Sequence, residues 1–307
     1  MKLAALLTIV LVSAAAASAQ DAPSPAEVEL RTAIDLLKTK HINRDAVDWP
    51  ALEAHVFHGV TGAAGNAYPA IRSVIAALHE KHTFLIDADE WKADMARQRV
   101  GNTDPDPVPP PEFRMLDRHT AYIRVRQFFG DDKAIAAYIA NFQTNMHALR
   151  RAGACRYMVD LRKNGGGNMW PMLSGLVPVL GNPPYGYFLT AGRPDFPWMP
   201  KDDLVHPNPP VAVLVDRWTA SSGEFTAMAF EGRPHTRVFG EPTAGYVSVN
   251  TLAALPDGAH LALTTGTAQD RRHRDYRVAV VPDEQPPPGA PASRAARRWL
   301  TAQSCRP

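Results

Sequence analysis

Cysteine is scarce in this chain. Only Cys155 and Cys305 occur among 307 residues, so at most one internal bridge can form. An even count suits an oxidising compartment. Either the two pair, pinning a C-terminal helix to the strand that Cys155 enters and closing a long loop, or Cys155 is a buried thiol and Cys305 a frayed end. Long basic runs are missing as well. The net charge is +2, and the short Arg271-Arg272-His273-Arg274 run has no interleaved aromatics. That excludes nucleic acid as a partner and reads as a solvated loop. The apolar run from Leu3 to Val12 is too short to span a membrane. Lys2 precedes it, and Ala17-Ser18-Ala19 follows as a small-x-small cleavage site before Gln20. Residues 1–19 therefore read as a secretory signal peptide, leaving an exported mature protein, periplasmic or secreted, with no integral membrane segment. No cysteine follows the apolar run, which argues against a lipoprotein.

What is present begins with helices. Ser24-Pro25-Ala26-Glu27 is a capping box with proline in the first turn, and Val28, Leu30, Ala33, Ile34 and Leu37 recur at helical spacing. A second helix starts at Asp48-Trp49-Pro50 and a third runs from Tyr68 to Glu80. Residues 20–82 thus read as a helical domain that presents His82 at its end. Residues 83–111 read as a strand, Thr83 to Ile86, and a polar, Pro-rich linker. From Thr120 strands alternate with helices: a strand over Ala121 to Phe128, a helix over Asp132 to Ala152, a strand over Arg156 to Leu161 and a helix over Asn168 to Leu180. Next come a strand over Val211 to Val215, a helix from Ser221 to Gly232 and a short strand at Val238-Phe239. A hairpin around Pro256-Asp257-Gly258 and a helix from about Ala292 to Ala302 complete an α/β unit over residues 112–307.

Two segments carry the chemistry. Val159 to Leu161 ends a strand in Asp160 and Arg162, then runs through Asn164 into Gly165-Gly166-Gly167. Val213 to Val215 ends another strand that passes through Thr219-Ala220-Ser221-Ser222-Gly223-Glu224 into a helix. Glycines allow close backbone approach and free N–H groups, and a serine at a strand-to-helix junction meets helix amides. The pair points to a nucleophile facing an oxyanion hole, which is acyl-transfer chemistry.

Together with Gly240-Glu241-Pro242-Thr243-Ala244-Gly245, these segments resemble, in order and spacing, the tail-specific (C-terminal processing) serine peptidase family. The resemblance runs from about His82 to Pro282-Asp283 and implies a crotonase-like α/β core behind an N-terminal helical domain. It implies a serine endopeptidase acting on proteins or peptides without a cofactor. Two features depart from the best-known branch. The stretch between Ile86 and Phe113 is too short for a PDZ module. The lysine base of that branch falls at Tyr246, and no lysine follows Lys201. What remains resembles the PDZ-less branch of the tricorn core and the retinoid-binding proteins, whose histidine base falls here at His82 in Glu80-Lys81-His82-Thr83-Phe84.

The resemblance makes Ser221 the nucleophile, against Ser222 or a plain helix cap. His82 becomes the general base. Asp270 is preferred over Asp275 as the acid that orients it, although either also reads as a turn aspartate. The oxyanion hole combines the N–H of Ser222 with that of Gly165 or Gly166, while Asp160 and Arg162 brace the loop. The pairs His55/His58 and His79/His82 have metal-ligand spacing but lack a metalloprotease carboxylate pattern, so no metal is expected. The competing reading is a catalytically silent binder of an apolar ligand on the same fold.

Overall fold

Ser24 begins the first helix as a reciprocal cap. In a computed structural model, which describes residues 22–60, 66–99, 109–190, 193, 195–199 and 208–305, the Ser24 hydroxyl accepts from the Glu27 N–H and Glu27 accepts from the Ser24 N–H. The proposed signal peptide lies outside the described residues. Helix α1 (Pro25–Lys40) is followed by α2 (Trp49–Val60) and α3 (Tyr68–Ala76). Helix α3 stops short of Glu80 because the chain turns at His79, where φ is +50°. Leu30, Ile34, Leu37, Ile71 and Val74 are buried together with Leu261 and Leu263. These helices therefore share their core with a strand late in the chain.

Strand β1 (Phe84–Ile86) leads into α4 (Ala88–Arg99). The polar stretch after Asp87 is thus half helix rather than linker. Ala, Glu, Lys and Met are good helix formers, Asp89 and Glu90 lie in the first turn, and Trp91 stacks on His260 at 3.7 Å. Residues 100–108 of the expected linker lie outside the description.

The chain then builds a five-stranded sheet from β2 (Glu112–Met115), β3 (Thr120–Arg124), β4 (Arg156–Asp160), β7 (Val211–Val215) and β8 (Thr236–Gly240). The order is β2-β3-β4-β7-β8. All neighbours are parallel except the antiparallel edge pair β2–β3. Between them run α5 (Asp132–Arg151), α6 (Met169–Leu180), β5 (Gly186–Thr190), β6 (Phe196–Pro197) and α7 (Ser222–Met228). Alternation along the strands sorts the two faces. Ile123, Val159 and Val213 point to α5, α6 and α7, whereas Tyr122, Met158 and Leu214 point to α8 (Ala292–Ala302).

A second sheet collects β1, β5, β6, β9 (Ser248–Ala254), β10 (His260–Asp270) and β11 (Asp275–Tyr276) around the long strand β10. The expected hairpin is β9–β10, but β10 continues to Asp270 through an irregularity between Thr264 and Gly266. Tyr185 and Trp198 are buried in the core beneath it. Among the described residues no helix is long and apolar enough to cross a membrane.

The two cysteines pair. Cys155, just before β4, is bonded to Cys305, just after α8, across 150 residues. Closing a loop of that length removes unfolded-state entropy worth at most about 5 kcal/mol. Reduction, or Cys155→Ser with Cys305→Ser, is expected to lower the thermal midpoint by several degrees. An unchanged midpoint would show that the bridge does not constrain the unfolded chain.

Candidate active site

The turn between β7 and α7 is held in a conformation that side chains avoid. Ser221 has φ +50° and ψ −120°, a region that costs on the order of 1–3 kcal/mol for a non-glycine residue. Glu224, fully buried, offsets that cost. One of its oxygens accepts from the N–H of Ser221 at 2.9 Å and of Tyr246 at 2.7 Å; the other accepts from Thr243 Oγ1 at 2.5 Å and the Gly245 N–H at 2.8 Å. Burial pushes the Glu224 carboxyl up, and these four donors pull it back towards ionisation. The neighbouring Ser222 hydroxyl is committed elsewhere, donating to the Gly167 carbonyl at 2.5 Å.

The glycine loop after β4 lies directly against this turn. A Cβ at Gly166 would sit 3.0 Å from Ser221 Cβ and 3.2 Å from the Ser222 nitrogen, and its φ is +114°. Both facts demand glycine. Asn164, fully buried, joins the two loops. Its carbonyl accepts from the Ala220 N–H at 2.9 Å, and its amide donates to the Val125 carbonyl. Its Oδ1 takes the Gly166 N–H at 3.0 Å. Gly166 is therefore not a free oxyanion donor, and its expected role is corrected to close packing. The N–H groups of Gly165 and Ser222 donate to no group among the described residues. Sequence alone could not show which way the Asn164 amide turns. Asp160 and Arg162 brace the loop as expected, the guanidinium donating at 2.9 and 2.6 Å while Tyr122 donates at 2.7 Å.

His82 reaches the site from the other sheet. It is buried, its ring edge-on to Tyr246 with centroids 5.2 Å apart. His82 and Ser221 thus flank one loop, residues 243–246, with no hydrogen bond between them among the described residues. Lys81 grips the same loop through the Ala244 carbonyl at 2.6 Å. Burial lowers the His82 imidazole below its ordinary 6.5, partly countered by the charge of Glu80.

Asp270 is not the partner of that histidine. It stands six residues beyond Thr264 on β10, about 20 Å along an extended strand. Its carboxylate accepts from the N–H groups of Arg272 at 2.8 Å and Arg274 at 3.2 Å and pairs with the Arg274 guanidinium at 3.3 Å. It fixes a turn. Asp275 pairs with Arg277 on the exposed end of the sheet.

The acid beside His82 is Glu80, which sequence reasoning quoted but gave no role. Its Oε1 accepts the His82 N–H at 2.8 Å and its Oε2 accepts from Thr264 Oγ1 at 2.9 Å. Thr264 Oγ1 lies 3.4 Å from Ser248 Oγ, which lies 2.9 Å from His82 Nδ1. Burial would raise the Glu80 carboxyl, but hydrogen bonds from His41, His82, Thr264 and Thr83 hold it at about 2. An ionised carboxylate only accepts, so the Thr264 hydroxyl donates to Glu80, and the Ser248 hydroxyl stands between Thr264 and His82 Nδ1. The available signal was a carboxylate two residues before the expected base.

Among the described residues no group of three or more His, Cys, Asp or Glu side chains could hold a metal ion. The geometry is that of a hydrolase built around a strained serine. Residues 119–285 match Peptidase family S41, more than half of the chain, and the chain belongs to that family of serine peptidases. It is 26% identical over 301 residues to the nisin-resistance protein of Lactococcus lactis subsp. lactis, covering 92% of this chain and 88% of that protein. It is 28% identical to the carboxyl-terminal-processing protease of Picosynechococcus over 54% of this chain, but spans 39% of that relative. The fold is similar to that of a lipoprotein from Streptococcus agalactiae, with TM-score 0.77, 23% identity and coverage of 96% and 99% of the two chains. It is also similar to the photosystem II D1 C-terminal processing protease, with TM-score 0.67, 16% identity and coverage of 92% and 98%.

Because Glu80 is held well below its ordinary 4.5, it stabilises the folded state fully above that value. The contribution, on the order of 3 kcal/mol, is lost as pH falls from about 4.5 towards 2. Denaturant melts of Glu80→Gln across that range should show a flatter dependence of stability on pH than the parent. Identical slopes would mean the carboxylate is not specially held.

Proposed function

We propose that this chain is an exported serine endopeptidase that cleaves protein or peptide substrates through an acyl-enzyme on Ser221. The observation that carries the reading is the strained Ser221 turn, clamped by Glu224 against the glycine loop. His82 Nε2 takes the Ser221 proton as the hydroxyl attacks the scissile carbonyl and returns it to the leaving amine. The N–H groups of Gly165 and Ser222 receive the oxyanion. Water then attacks the ester with the same base, and the peptide acid leaves. Glu80, through Thr264 and Ser248, holds the imidazole in the required tautomer. A silent binding role has no use for a serine kept in a costly conformation, which weighs against it.

The architecture supports a crotonase-like core over residues 112–307, with parallel strands β3, β4, β7 and β8 between α5–α7 and α8. Residues 20–82 form the helical domain in front of it and residues 83–111 the connection. The disulfide fits export, with residues 1–19 as the signal peptide.

Four variants test the assignment. Ser221→Ala should abolish peptide hydrolysis with the thermal midpoint retained, while Ser222→Ala should keep measurable activity because its contribution is a backbone N–H. Wild-type kcat/KM should fall on the acid side with an apparent pKa below 6.5, and His82→Ala should lose that limb with most of the activity. Asp270→Asn should leave the limb where it is. Equal loss from both serine variants, or an acid limb that survives in His82→Ala, would overturn these roles.

A further inference from the structure

On the α8 face of the five-stranded sheet, away from the face covered by α7, lies a cavity of about 430 Å³ whose lining includes four arginines. Arg114 comes from β2, Arg162 from the turn after β4, and Arg294 and Arg297 from the first turns of α8. Ser293 and Tyr122 complete the polar wall. Two of the guanidiniums are answered by carboxylates: Arg162 by Asp160 at 2.6 Å and Arg297 by Asp117 at 3.6 Å. The other two are not. The Arg114 Cζ sits over the Tyr122 ring, 3.8 Å from its centroid, and neither it nor Arg294 meets a carboxylate among the described residues. Helix α8 opens on Pro291 without a side-chain cap, so its first amides add positive potential to the same space.

Arg114 and Arg294 are exposed and, among the described residues, unpaired, so they leave a local positive potential at the cavity that an anion can answer. Arginine forks match tetrahedral oxyanions in two-point contacts. A phosphomonoester carries about −1.5 to −2 near neutrality, close to the charge that Arg114 and Arg294 leave unbalanced. The volume also falls in the usual range for small-molecule sites, roughly 300–1,000 Å³, so it exceeds what a bare ion needs. We infer that this arginine cavity is a binding site for a phosphomonoester group, separate from the Ser221 site. Tyr122 links the two only structurally, since its hydroxyl donates to Asp160, which braces the glycine loop. The phosphate could belong to a soluble ester or to a lipid headgroup.

The test is calorimetric titration of the full, disulfide-bonded protein with inorganic phosphate at low ionic strength. Saturable one-to-one binding is expected. It should weaken at least tenfold in the double variant Arg114→Gln/Arg294→Gln, which spares the braced Arg162 and Arg297, with peptidase rate and thermal midpoint unchanged. Arg277→Gln, an exposed arginine on the other sheet, should bind as the parent does. A second arm measures sedimentation with phosphatidylcholine vesicles carrying phosphatidic acid. Vesicle binding competed by free phosphate assigns the group to a headgroup, and phosphate binding without vesicle binding assigns it to a soluble ester; both support the site. No saturable phosphate binding, or equal weakening in Arg277→Gln, overturns it.

Discussion

Everything at the candidate site depends on one buried carboxylate. Glu224 holds the Ser221 N–H on one side and the N–H groups of Gly245 and Tyr246 on the other. The first belongs to the turn entering α7, on the parallel sheet, and the others to the loop that leads into β9, on the second sheet. Without this acceptor three N–H groups, that of the positive-φ Ser221 among them, and the Thr243 hydroxyl would lose their partner. The same clamp ties the turn after β7 to the loop before β9. Tyr246, anchored by it, is the surface against which the His82 ring stands.

The second sheet is where the histidine gets its environment. Thr83 accepts from the Thr264 N–H and contacts buried His41, and Asn250 donates to the His82 carbonyl. These contacts pin the segment after α3 onto β9 and β10, whose inner face is the core of the N-terminal helices. The helices thus act on the site through packing, by fixing where residues 80–83 can lie. A buried imidazole with one nitrogen held and a lowered affinity for protons is kept neutral, the state a base needs.

Much of this was legible in the residues. The strand Val211–Val215 was read to the residue and the helix Ala292–Ala302 approximately, because a pure apolar run and a proline-led start leave little choice. The glycine run and Ser221 were recognisable because close approach and a strand-to-helix serine are local properties. Helix α4 was missed because its polar composition resembles a linker, and helix-forming propensity is visible only when proline is discounted. Asp270 was misplaced for a different reason: the sequence shows a strand ending in aspartate but not that β10 carries it to the far end of the sheet. The Glu80–Thr264–Ser248 relay joins residues 184 and 16 positions apart, so no local pattern encodes it. The Cys155–Cys305 pairing was an open alternative until the two ends of the α8 layer were placed together.

The most direct measurement of the central claim is a crystal structure of the protein after reaction with a fluorophosphonate. The account predicts phosphorus bonded to Ser221 Oγ, the phosphonyl oxygen within hydrogen-bond distance of the Gly165 and Ser222 N–H groups, and His82 Nε2 facing the adduct with Nδ1 still on Ser248. Phosphorus on Ser222, or a phosphonyl oxygen directed away from the glycine loop, would contradict it.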